Sequence, residues 1–320
     1  MLHLTEGQVL ELLPMARAIE LVEQGFLHLA AGRAVNHPRR RLHLADSAML
    51  HYMAAADLET GYLGSKLYTT HPKTGFHFVL LLFSSQGEAL ATIEANHLGQ
   101  IRTGAASAVA TRRLARPQAS VVGLIGAGFQ ARSQLEAVAL VRPLSDVRVY
   151  SRSDHGRRAF AQEMGAKLGI RARPVESAEE AVRGADIVIT ATTAREPVLA
   201  GEWLSPGSHV NAVGANHPKR RELDDAAVRQ AGVVVADSVD QSRLESGDLI
   251  EAFRLGAGSW DQVVELADLL ANRHPGRRSR EEITLFKSNG LALEDLSVAG
   301  YVYEQATPTS ASAAQSRARR

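Results

Sequence analysis

The chain has 320 residues, 45% hydrophobic and 22% charged, with 36 basic against 35 acidic side chains, a formal net charge of +1 and no cysteine. That length allows one large or two ordinary domains around a sizeable core, and the composition is that of a globular protein. The near-neutral balance gives no support for nucleic-acid or membrane partners, and the lack of cysteine excludes disulfides and thiolate chemistry. The first residues, MLHLTEGQVLELL, carry acids where a signal peptide carries basic residues, and no apolar run reaches the length of a membrane span. A cytoplasmic protein without a metal centre is therefore expected.

In chain order, Thr5 reads as the cap of a first helix opening in residues 4–9, and a second, amphipathic helix is predicted over about 14–31. Strand patterns follow at 41–44, 49–54, 61–68, 76–84 and 89–94. The nearly continuous apolar run at 76–83 is expected to be central, and Gln86 and Gly87 mark a hairpin turn. Five strands without long intervening helices predict a mixed or antiparallel sheet. An alanine-rich helix over 103–115 then leads to Pro117, a predicted domain boundary.

From 119 to 287 strands and helices alternate. Strands are predicted at 121–125, 146–150, 186–190, 208–213 and 232–236, with helices such as 155–168 and 177–183 between most of them. This α/β alternation predicts a doubly wound parallel sheet with right-handed crossovers. The stretch 286–296 reads as the beginning of a helix. The small-residue tail beyond about 306, closing on Arg317, Arg319 and Arg320, reads as disordered and solvated.

Residues 121–131, VVGLIGAGFQA, carry the strongest local signal. Five apolar residues run into Gly126, Ala127 and Gly128, and a helix opens at once. Gly126 permits a tight turn, Gly128 lets backbone approach a phosphate, and Ala131 is small enough for helix and sheet to pack closely. A turn of this kind lays a dinucleotide pyrophosphate on N–H groups at a helix N-terminus, where the dipole favours anions. The end of the second strand distinguishes the cofactors. An acid there would hold the ribose hydroxyls of NAD(H), but residues 151–153 are Ser151, Arg152 and Ser153, with no carboxylate before Asp154. A guanidinium and hydroxyls suit a 2′-phosphate. NADP(H) is thus favoured, with NAD(H) use left open because Arg152 could simply face solvent.

The segment TIEANHLGQIRTGAASAVATRRLAR at 92–116, followed by the Gly-Ala-Gly-Phe-Gln-Ala turn, resembles the ornithine cyclodeaminase/mu-crystallin family. GYLGSK at 61–66, NAVGANHPKRRELD at 211–224 and FKSNGLALED at 286–295 extend the resemblance over nearly the whole chain. It implies a homodimer whose substrate and dimerisation domain, 1–115, is completed by 288–306, with a Rossmann dinucleotide-binding domain over 116–287 and a tail over 307–320. It also implies hydride transfer at the α-carbon of amino or imino acids.

The resemblance further implies a set of cations for the substrate carboxylate: an early arginine in the Pro-Arg-Arg-Arg run 38–41, with Arg40 the preferred register and Arg39 close behind, then Lys66 and Arg102. Without the family, Lys66 would read as a solvated lysine and Arg102 as a partner of Glu94. Thr103 and Gln130 are expected at the cofactor phosphates, and Thr192, Val213 and Gly214 along its adenine and nicotinamide sides. Two positions depart from the cyclodeaminase pattern. Asn216 stands where cyclodeaminases place an aspartate, and His51 where they carry a glutamate. Cyclisation of ornithine needs an acceptor for an ammonium proton, which a neutral amide does not provide. Asn216 therefore argues against cyclodeamination, and His51 is a candidate proton donor or a packed strand histidine. His97 and His217 read as structural or solvated. The expectation is an NAD(P)H-dependent reductase of α-imino acids, with a cyclic ketimine such as Δ1-pyrroline-2-carboxylate as leading substrate. The alternatives are ornithine or lysine cyclodeamination with bound NAD+, and a non-catalytic NADPH-binding, crystallin-like protein.

Overall fold

The computed structural model describes residues 1–44 and 47–307, so the tail expected to be disordered lies, beyond Thr307, outside the described residues. The chain divides into two compact units, Met1–Arg102 with the described residues from Ala292 onward, and Thr103–Leu291. The division falls within a helix, between Arg102 and Thr103, upstream of Pro117.

The first unit is built on β1 (Leu2–Leu4), α1 (Glu6–Leu12), α2 (Met15–Ala30), β2 (Ala34–His43), β3 (Met49–Asp57), β4 (Tyr62–His71), β5 (Gly75–Ser84), β6 (Ala89–Glu94) and the start of α3 (Asn96–Leu114). Its sheet runs β1-β6-β5-β4-β3-β2 and is mixed: β1 lies parallel to β6, and every other pair is antiparallel. Thr5 does cap α1, in a reciprocal box with Gln8, but the helix starts at Glu6 because residues 2–4 form an edge strand. The predicted hairpin is present, with Gly87 at φ +82 and Gly87 N–H donating to Ser84 O. A C-terminal helix, Ala292–Ala306, packs on β3, β4 and α2.

Strand β2 carries Pro38, which an edge strand tolerates because no ladder bond needs its missing N–H. There the pairing slips: His37 faces Ala54, but Arg40 already faces Tyr52. Pro38 and Arg39 together therefore oppose Met53, a bulge that turns Arg39 to the face carrying Met53 and Lys66.

The second unit holds an eight-stranded sheet in which all pairs are parallel. Its strands are β7 (Val121–Ile125), β8 (Asp146–Tyr150), β9 (Ala172–Pro174), β10 (Ile187–Thr190), β11 (His209–Ala212), β12 (Ala231–Ala236), β13 (Val263–Glu265) and β14 (Ile283–Lys287), ordered β13-β12-β14-β11-β10-β7-β8-β9. α4 (Phe129–Ala139) follows β7 and α5 (Asp154–Leu168) follows β8. The order reverses between β7 and β10, the position at which open parallel sheets bind ligands. Alternate residues feed two cores, Val122, Leu124, Ile187 and Ile189 on one face, Ile125, Val188, Val210 and Leu285 on the other. Phe286 and Lys287 belong to β14 in the middle of this sheet, not to a helix; the helix expected from 286 begins at Ala292.

Candidate functional site

In the second unit Gly126 has φ +114, a conformation that a side chain would strain, and its N–H donates to Tyr150 O at 2.8 Å. Gly128 is the N-cap of α4, which has no side-chain cap and no acid in its first turn. Five other helices of the unit are capped by Ser153, Ser177, Asp224, Ser238 and Ser246. A Cβ on Gly128 would meet nothing within 4 Å, while Ala131 is packed into the core beneath. The α4 terminus thus has no side-chain cap and presents a positive dipole end, a cradle that fits a dinucleotide pyrophosphate. Arg132, which sequence reasoning missed, donates to Gly128 O at 3.0 Å and to Glu163, steadying the turn. Thr103 O accepts from Gln134 Nε2 at 3.0 Å, and Gln130 lies in the first turn of α4. At the end of β8 Arg152 is exposed, whereas the Ser153 hydroxyl caps α5 and Ser151 Oγ donates to Ser153 O. Asp154 is held by Arg157 and Arg158.

The loops carrying Thr192, Val213 and Gly214 are organised by a carboxylate that the sequence did not single out. Buried Glu222 accepts from Thr192 N–H (2.7 Å), Thr192 Oγ1 (2.8 Å), Thr190 Oγ1 (2.9 Å) and Gly214 N–H (2.7 Å). Asp248 accepts from the N–H groups of Glu222 and Leu223 and lies 3.0 Å from Lys287 Nζ, which donates to Ala215 O. Asp237 accepts from the N–H groups of Ser238, Asn289 and Gly290. Burial pushes the carboxyls of Glu222 and Asp237 upward. Asn216 is half-buried on the loop after β11, and His217 Nδ1 accepts from Lys219 N–H nearby.

In the first unit three cations are buried on one face of the sheet: Arg39 (5% exposed), Lys66 (3%) and Arg102 (6%). Lys66 Nζ donates to Asp295 Oδ1 at 2.8 Å. Arg102 Nε donates to the same oxygen at 3.0 Å, and its Nη1 to Glu294 Oε2 at 2.6 Å. Glu94 is not the partner of Arg102; it accepts from Glu6 N–H. Burial lowers the Lys66 ammonium to about 8, opposed by Asp295 and reinforced by Arg102 and Arg39. Burial pushes Asp295 up, but Arg102 and Lys66 more than reverse it and hold the carboxyl below its ordinary range.

An aromatic wall stands beside these charges. His51 stacks on Tyr68 (ring centroids 4.1 Å apart), and Tyr68 on Phe78 (4.8 Å). Arg39 lies over the Tyr68 ring and Lys66 Nζ over Phe78 at 5.2 Å. His51 Nε2 is 3.2 Å from Thr70 Oγ1. Arg40 does not join this group. It is exposed on the opposite face, level with Tyr52, and the bulge at Pro38 gives its expected place to Arg39. His97 is tied to Glu6 at 2.7 Å.

The chain matches the family model described as ornithine cyclodeaminase/mu-crystallin family over residues 2–310. It is 37% identical over 317 residues to a Δ1-pyrroline-2-carboxylate reductase of Bacillus cereus, covering 96% of this chain and 97% of that one. Its fold superposes on a Thermococcus litoralis Δ1-pyrroline-2-carboxylate reductase in complex with NADH and L-proline, with TM-score 0.92, 39% identity and coverage of 96% and 97%. An archaeal alanine dehydrogenase dimer with bound NAD gives TM-score 0.90, 35% identity and 96% coverage of each chain. The turn, the buried cations and these likenesses agree: the chain belongs to the ornithine cyclodeaminase/mu-crystallin family.

Proposed function

We propose that this chain is an NAD(P)H-dependent reductase that converts α-imino acids, foremost a cyclic ketimine such as Δ1-pyrroline-2-carboxylate, to the L-amino acid. The observation that carries this reading is the buried Arg39–Lys66–Arg102 group, gathered from three elements onto one face of the first unit. Buried cations cost solvation, and a planar carboxylate is the ligand that an arginine fork recognises in two-pronged fashion. Arg102 is itself held in place, its Nε by Asp295 and its Nη1 by Glu294.

A nicotinamide cofactor, when held at the Gly126–Gly128 turn, would supply the hydride that reduces the imine. The chain's own part is to hold the carboxylate, exclude water that would hydrolyse the imine, and deliver a proton to its nitrogen. Lys66 suits proton delivery because its proton is held at about 8, close to working pH, where an acid both carries a proton and gives it up readily. The cofactor fits the Gly126–Gly128 turn, with Thr103, Gln130, Thr192 and Val213 as its further contacts. Arg152 supports NADP(H) as the favoured form, and the engagement of Ser151 and Ser153 in the turn leaves the guanidinium as the main element of that preference. A neutral Asn216 speaks for reduction over cyclodeamination.

The homodimer has its own support. The outward face of the first unit's sheet bears Val35, Tyr52, Leu63 and Val79, each at least 37% exposed. Such a face suits a symmetric partner. A cofactor reduced again after each turnover fits work in the cytoplasm, and no helix among the described residues is long and apolar enough to cross a membrane.

The test follows NADPH and NADH absorbance with Δ1-pyrroline-2-carboxylate and its six-membered homologue, with ornithine and NAD+ in parallel. Oxidation of NADPH by a cyclic ketimine is expected, and Arg152→Asp should shift the NADPH:NADH preference roughly tenfold or more toward NADH. Ammonia from ornithine without net cofactor consumption would overturn the reading.

A further inference from the structure

Taking the reductase reading as its basis, we infer that Asp295 is the positioning residue of the site, fixing Lys66 and Arg102 through one shared oxygen and keeping the lysine charged. The geometry is specific. Asp295 Oδ1 receives Lys66 Nζ at 2.8 Å and Arg102 Nε at 3.0 Å, so one atom sets the spacing of two cations. Lys66 is on β4, Arg102 on α3, and the acid arrives from a third element 193 and 229 residues further on.

The surroundings assign the charge-keeping role to this residue. Arg102 from α3 and Arg39 from β2 both disfavour a charged Lys66. The C-terminal helix supplies Asp295 directly and Glu294 by way of Arg102. β3 and β5 present Met53 and Phe78, which carry no charge, and β3 also His51, whose ring stacks on Tyr68 of β4. Gly99 of α3 lies so close that a Cβ there would sit 2.6 Å from Nζ, so the ammonium has little freedom to leave the acid. A carboxylate paired only for fold would need no such convergence on two ligand-binding cations.

The test compares Asp295→Asn with the wild-type chain by competitive labelling with acetic anhydride across pH 6–10, reading Lys66 by peptide mass. This readout needs no substrate. The expected result is a Lys66 labelling midpoint at least one pH unit lower in Asp295→Asn, with the alkaline limb of kcat/KM for Δ1-pyrroline-2-carboxylate moving equally and NADH binding unchanged. An unmoved midpoint overturns the inference, whatever the loss of rate. Should Asp295→Asn fail to fold, Asp295→Glu takes its place. It keeps the charge but displaces the oxygen, and a tenfold or greater fall in kcat with near wild-type labelling is expected; wild-type values of both overturn it. If the wild-type chain reduces no imine yet its Lys66 midpoint moves in Asp295→Asn, the role of the acid stands and the reductase reading falls.

Discussion

Each unit buries a cluster of ions, and the two clusters are wired differently. In the second unit the buried carboxylates of Glu222, Asp248 and Asp237 each accept from two or more backbone N–H groups, and Lys287, paired with Asp248, also donates to the carbonyl of Ala215. Those charges staple loops. In the first unit Lys66, Arg102, Glu294 and Asp295 contact one another through side chains. Charges directed at backbone specify a loop's path; charges directed at other side chains specify where mobile groups sit, which is what a ligand site requires. Loss of a backbone staple should therefore appear as instability, and loss of a side-chain partner as lost activity.

The sharpest break of that division is a matched pair of near-isosteric changes. Arg102→Lys keeps the charge but loses the fork, and should lower kcat/KM about 10²–10³-fold, about 3–4 kcal/mol, with a melting temperature within a few degrees of wild type. Glu222→Gln sets an amide NH2 against donors from Thr190 and Gly214. It should cost roughly 2–4 kcal/mol in urea unfolding, with kcat of the folded enzyme within about fivefold. Melting by Arg102→Lys and indifference to Glu222→Gln would erase the distinction.

The bulge gives a finer cut within the first unit. Arg39→Ala should reduce kcat/KM on the order of 10²-fold, as expected for a buried arginine that holds the substrate carboxylate, and Arg40→Ala less than about threefold. Equal losses would place both arginines in the site.

The smallest effect concerns pH. His209 is buried against Thr284 and Asn211, and burial, then Arg277, lowers its imidazole to about 3. The unfolded chain binds that proton near 6.5, so its contribution is complete above pH 6.5 and declines as the pH falls toward 3. The slope is at most about 1.4 kcal/mol per pH unit. Urea unfolding between pH 7 and 5 should show this decline, and His209→Gln should flatten it.

The parts legible in sequence were those governed by local pattern. The Gly126–Gly128 turn, the parallel alternation and the Thr5 cap each depend on a few neighbouring residues. β1, β9 and β13 are three residues long, too short to hold a period, and β14 hides in ITLFK, where a threonine interrupts the apolar run and a lysine ends it. Arg39 was displaced from its parity by a bulge that alternation cannot foresee. Glu294 and Asp295 stand in the first turn of a helix, where acids commonly complement the dipole, and nothing local marks them as partners of residues on other elements. Glu222, Asp248 and Lys287 converge from a loop, a helix over Gly247–Arg254 and a strand, which no local pattern joins.

The C-terminal helix has a consequence for how the protein is made. Lys66 and its acid are 229 positions apart, so at about 5–20 residues per second the ribosome delivers the partner roughly 10–45 s after the lysine. Throughout that interval β2 to β6 can pair, but burial of Lys66 and Arg102 has no counter-charge to support it. A nascent sheet that must keep these cations wet cannot close its inner face, so the reactive pocket is among the last features to exist, and a prematurely stopped chain would carry the sheet without it.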